Sequence, residues 1–144
     1  MKVLFDTSVL VAAMVAAHPA HHRAAPWLRR AKGGDLGFLV AVHTLAELYA
    51  VLTRLPTTPR ISPAAALRLV EENIASRATI ITFDAADYRS LLRRLADLAV
   101  AGGAVYDGLI ARAAEKAAAE RLLTLNVEHF RRVWPEGAEL VTAP

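Results

Sequence analysis

Apolar residues fall into two kinds of block along this chain. Short unbroken runs, "KVLF" (2–5), "FLVA" (38–41), "ATIITF" (78–83) and "LLTL" (122–125), read as buried strands, because no polar residue marks a wet face. Between them lie longer segments whose apolar positions recur three and four apart, the period of a helix. This pattern predicts helices over 9–17, 21–32, 43–55, 64–76, 84–100 and 106–120, with a short one over 127–133. Leu45, Leu48, Leu52 and Leu55 form one apolar stripe. A very short strand is expected after the turn "AGGA" (101–104), and "AELV" (138–141) reads as a last strand.

The breaks carry turn and cap chemistry. Asp6, Thr7 or Ser8 can cap the first helix, and Asp84 the one that follows the third strand. Pro19 interrupts the first helical stretch, "GGDLG" (33–37) ends the second, and "PTTPRISP" (56–63) is a loop. Strands alternating with helices predict an α/β layer fold on a mainly parallel sheet. With 144 residues and no repeat or low-complexity tail, one domain spanning 1–144 is expected.

Composition narrows the function. A hydrophobic content of 55% excludes a disordered chain, and the lack of cysteine excludes disulfides and thiolate metal sites. That fits a cytoplasmic protein. Residues 9–17 have the look of a short signal peptide after Lys2, but Asp6 stands between the lysine and the apolar run, a poor place for a charge in such a signal. No run reaches the roughly 20 apolar residues of a membrane span. The net charge is +3, carried by 14 arginines and 3 lysines. Arginine suits phosphate recognition. The chain also holds 30 alanines, a composition in which arginine is common, so the basic charge supports a nucleic-acid partner only weakly.

In a parallel α/β sheet, ligands sit beyond the carboxyl ends of the strands. Asp6, Asp107 and Asn126 each fall where an apolar run gives way to a helix, and Glu47 lies a turn inside the helix after the second strand. Taken singly, Asp6 and Asp107 read as helix caps and Glu47 as a solvated helix residue. Gathered at one rim, three carboxylates repel each other and need a counter-charge. A hard divalent cation, Mg²⁺ or Mn²⁺, takes oxygen ligands of this kind.

Other groups read as structural. His18, His21 and His22 are broken up by Pro19, with no glutamate between histidines in a metalloprotease pattern, so they read as solvated with a role near substrate left open. Asp84 and Asp87 open a helix, Glu71 and Glu72 lie on a solvated face, and Trp27 and Trp134 are expected to pack rather than stack on bases. Arg54, seven residues after Glu47, is a candidate for a backbone phosphate or a plain surface arginine. Arg93, Arg94, Arg131 and Arg132 are weaker candidates for an RNA-binding surface. Glu128 is a lesser candidate to supply the charge that Asn126 lacks. There is no Walker A loop, no GxGxxG and no GxSxG.

Three segments in order, "LFDTSVLVAA", "AELYAVLTR" and "GGAVYDGLIARAAEKAAAERLLTLNVEHF", resemble PIN-domain ribonucleases, in particular the small toxin-like VapC-type branch. The resemblance runs from residue 2 to about 141. It implies a three-layer α/β/α sandwich, Mg²⁺- or Mn²⁺-dependent cleavage of RNA, a cognate antitoxin protein and a homodimer. Asp6, Glu47 and Asp107 match the family's acids, with Thr7 or Ser8 assisting at the first strand's end. Asn126 departs from the family, which usually has an aspartate there; it is expected to cap its helix and to serve the site, leaving one well-held ion and a weak second. Two other readings stay open: a PIN-like fold that binds RNA or a protein without cutting, and a metal-dependent DNA nuclease or phosphoesterase.

Overall fold

A computed structural model describes residues 1–144. Five short strands carry the apolar runs: β1 (Lys2–Phe5), β2 (Gly37–Ala41), β3 (Thr79–Ile81), β4 (Arg121–Leu123) and β5 (Val141–Thr142). They form one parallel sheet in the order β3-β2-β1-β4-β5. Leu4 in the central strand stands opposite Leu39 on one side and Leu122 on the other. Successive side chains point to opposite faces. Val3, Phe5, Phe38, Val40 and Leu123 therefore enter one core, beneath α1 (Thr7–Met14), α2 (His21–Lys32), α3 (Val42–Arg54) and α4 (Pro63–Val70). Leu4, Leu39, Ala41, Leu122 and Val141 enter the other, beneath α5 (Ala85–Asp97), α6 (Ala104–Lys116) and α7 (Val127–Val133). Burial of both faces explains the apolar runs of β1 and β2, whereas β3, at the sheet edge, carries Thr79 and has no buried residue. The three-layer α/β/α sandwich is as expected, and no helix is long and apolar enough to cross a membrane.

The differences lie at element ends. Residues 64–76 are not one regular helix: α4, capped by the Ser62 hydroxyl accepting from the Ala65 N–H at 3.1 Å, runs into a π-helical turn, Glu71–Ala75, which buries Ile74. Residues 135–140 form a 3₁₀ turn, so the last strand is only Val141–Thr142. No strand precedes α6. The chain passes from Gly103 straight into the helix, because Leu109, Ile110, Ala113 and Ala114 bury a helical stripe that begins there. Asp107 thus sits in the first turn of a helix rather than at a strand end.

Asp84 and Asp87 are structural, as read. Each carboxylate accepts a hydrogen bond from the other's backbone N–H, at 2.8 and 3.0 Å, closing a capping box on α5. Asp87 also pairs with Lys116 at 2.7 Å and Arg112 at 3.0 Å, which ties α5 to α6. The Lys116 ammonium, with the Asp84 N–H and Arg112, holds the Asp87 carboxyl well below the usual carboxylate range. A depressed folded-state pKa gives stability that is present above the unfolded value and lost as pH falls below it. We therefore expect Asp87→Asn to lower the melting temperature at pH 7, with the gap from the parent closing as pH drops below 3.8, followed by circular dichroism.

Candidate active site

The chain runs outward from β1 to β2 and β3, then returns to β4 and β5 on the other flank of β1. Connections diverge between β1 and β4, and a crevice opens at their carboxyl ends. Asp6 follows β1 there, its N–H donating to the Leu123 carbonyl at 2.9 Å. Asp6 occupies the cap position of α1, yet its carboxylate caps nothing. One oxygen, Oδ2, accepts instead from the Ser8 hydroxyl at 2.5 Å and the Thr124 hydroxyl at 2.8 Å. Those hydroxyls in turn accept from the backbone N–H groups of Leu125 (3.1 Å) and Asn126 (2.9 Å). The segment after β4 is thereby fastened to the acid after β1.

Asp6, Thr7, Ser8, Glu47, Asp107 and Asn126 line a single cavity of about 360 Å³, with His18 at its edge. Glu47 enters from the second turn of α3 and Asp107 from the first turn of α6. Asn126 does not cap α7, contrary to expectation. Its φ of −111° and ψ of 53° lie outside the extended region from which a cap side chain turns back, and it makes no cap hydrogen bond. The amide is left at the exposed rim of the cavity.

Negative charge in this cavity, on Asp6, Glu47 and Asp107, has no arginine or lysine partner, only nearby histidines. Burial pushes the Asp6 carboxyl up, against the pull of its two hydroxyl donors. Burial, then the charges of Asp6 and Glu47, push Asp107 up to about 6, with His129 and His43 pulling the other way. Glu47 Oε1 is buried without a hydrogen bond; His43 Nε2 lies 2.8 Å away but out of hydrogen-bond alignment. The acids line one cavity but do not stand together as a tight ligating cluster. Three carboxylates and an amide oxygen are the hard donors that Mg²⁺ or Mn²⁺ takes.

Some expected residues lie elsewhere. Arg54 stands in an adjoining shallow groove with Ala50, Val51, Leu55 and Pro56. Seven residues of helix rise carry it about 10 Å along the axis from Glu47, which outweighs the shared face. Glu128 pairs with Arg131 at 3.3 Å and does not line the cavity. The Thr7 hydroxyl is buried, 3.5 Å from that of Thr44. Of the three clustered histidines only His18 reaches the cavity. Trp134 packs in the core, and Trp27 lies between the guanidiniums of Arg30 and Arg121, each 5.3 Å from its ring.

Three residues escaped the sequence reading: Thr124, His43 and His129. A hydroxyl inside the otherwise apolar run "LLTL" was the signal for Thr124. His43 lies one turn before Glu47, on the same helix face. His129 stands three residues after Asn126, one turn along.

Residues 3–134 match the PIN domain. The chain is 40% identical over 140 residues to Ribonuclease VapC40 of Mycobacterium tuberculosis, which covers 95% of this chain and 97% of that one. It is 38% identical over 115 residues to Ribonuclease VapC27 of the same organism, covering 80% and 78%. Its fold resembles that of VapBC2 from Rickettsia felis bound to a promoter DNA fragment (TM-score 0.65, 21% identity, 100% and 99% covered). It also resembles VapC20 of Mycobacterium tuberculosis, a sarcin–ricin-loop-cleaving toxin (TM-score 0.65, 16% identity, 84% and 87% covered). With the family match over most of the chain and relatives 38–40% identical, the chain belongs to the PIN-domain family, in its VapC-type branch.

Proposed function

We propose that this chain is a divalent-metal-dependent endoribonuclease, acting as one domain, and the toxin of a toxin–antitoxin pair. The observation that carries the reading is the gathering of Asp6, Glu47 and Asp107 around one cavity with no arginine or lysine paired to them. These three residues hold one Mg²⁺ or Mn²⁺, and Asn126 completes the shell directly or through water. Such an ion, when bound, stabilises charge on a phosphodiester and activates a water for in-line attack. The chain's own part is positioning. Ser8 and Thr124 fix one oxygen of Asp6 and leave the other free to face the cavity. Thr7 and Ser8 shape the wall against which the sugar–phosphate chain lies.

RNA as the substrate is supported by the two relatives named as ribonucleases. An antitoxin that covers the cavity belongs to the same proposal, supported by the VapC-named relatives and the likeness to VapBC2; a homodimer and a cytoplasmic location are proposed with it. The test is a panel of structured RNA, single-stranded DNA and a phosphomonoester, with Mg²⁺ and with chelator. RNA cleavage that stops with chelator supports the reading. Cleavage of DNA or the monoester alone contradicts it.

Asn126→Asp adds a fourth carboxylate at the rim. It is expected to tighten Mn²⁺ binding in a calorimetric titration. An unchanged titration would remove Asn126 from the metal shell.

A further inference from the structure

Asp107 is shared by two cavities of opposite character. One is the acidic cavity; the other, about 380 Å³, is lined by Gly103, Ala104, Asp107, His129, Arg132 and Val133. Its side chains capable of carrying positive charge come from α7. Arg131 and Arg132 are neighbours with different commitments. The Arg131 guanidinium pairs with Glu128 and donates to the Ala138 carbonyl. Arg132 makes no ion pair and no side-chain hydrogen bond, and it faces this groove. His129 lines the same groove as Asp107 and Arg132. The opposite wall is bare: a Cβ at Gly103 would meet nothing within 4 Å.

We propose that this groove is a second phosphate subsite, in which Arg132, with His129 beside it, holds a backbone phosphate of the RNA next to the one being cleaved. The inference rests on the ribonuclease reading. A polyanionic chain crossing Asp107 meets an acid set suited to a cation on one side and a free guanidinium on the other. The guanidinium fork suits a phosphate oxygen pair, whereas a second carboxylate cluster there would have repelled the strand. The open wall at Gly103 leaves room for the sugar–phosphate unit. Neither Arg93 on α5 nor the paired Arg94 lines the groove.

The test is the binding and cleavage of a fluorescein-labelled single-stranded RNA by the full chain across a salt series. Arg132→Ala is expected to weaken binding about tenfold, as for a lost charge-assisted hydrogen bond. It should also reduce the salt slope by about 0.7, the loss of one phosphate contact on a single strand. KM should rise while kcat holds. Gly103→Glu places a negative group in the open groove without a backbone cost, since Gly103 has an ordinary helical φ of −64°, and should weaken binding further. Arg131→Ala should leave both binding and cleavage unchanged. Unchanged affinity and salt slope in Arg132→Ala, with the parent still cutting RNA, overturn the subsite alone. A parent that neither binds nor cuts RNA overturns the subsite and the ribonuclease reading together.

Discussion

Asp107→Asn and Asp6→Asn should each lower RNA cleavage on the order of 10²–10³-fold, the usual loss when a preorganised electrostatic partner of the reacting group is removed. Both substitutions keep size and shape. At Asp6 the asparagine carbonyl oxygen can still accept from Ser8 and Thr124, so the loop after β4 stays fastened. Stability should move the other way. Asp107 sits at the raised value of about 6, so its carboxylate weakens the folded state at neutral pH in the absence of a cation. A raised pKa means the folded state binds the proton more tightly. Stability from this group is therefore regained as pH falls from about 6 towards 3.8, and lost as pH rises. In chelator, the parent's melting temperature should climb through that window, and Asp107→Asn should not follow it. The window lies above the one in which the Asp87 contribution is lost, so the two effects separate. A variant that loses cleavage by unfolding would instead melt lower at every pH.

Phe130→Ala should be among the most damaging single changes to the fold. Phe130 is fully buried on the inner face of α7, in the core shared with α6 and Trp134. Truncating a buried phenylalanine costs about 3–5 kcal/mol. For a chain of this size that is a fall of about 10–20 °C in melting temperature. The same helix carries His129 and Arg132 on its outer side and begins at Asn126, so the cavity rim loosens with it. Denaturation melts check this, with exposed Arg131→Ala as the control expected to stay near the parent.

Strands and acids were legible because they obey one-dimensional rules. Unbroken runs such as "KVLF" mark strands buried on both faces, and the sheet that results is parallel and covered on both sides. Asp6 was placed by its position after β1 and Glu47 by its place on α3. Asp107 reached the same cavity from an expected strand end that does not exist; the convergence comes from α6 crossing the sheet, which no local pattern encodes. Arg54 stands in the adjoining groove rather than the cavity itself, since a shared helix face says nothing about distance along the axis. Thr124 stayed hidden because a threonine in an apolar strand fits the core as well as a site. Its role shows only when β4 pairs with β1 and brings it to Asp6, 118 residues away in sequence. The His43–Glu47 contact and the unpaired Arg132 are likewise products of packing.

A calorimetric titration of Mn²⁺ into the purified chain at neutral pH tests most directly whether the acidic cavity is a metal centre. One ion per chain is expected, with binding lost in both Asp6→Asn and Asp107→Asn and weakened as pH falls through about 6, where Asp107 takes up its proton. No heat of binding in the parent, or unchanged binding in both variants, would contradict it.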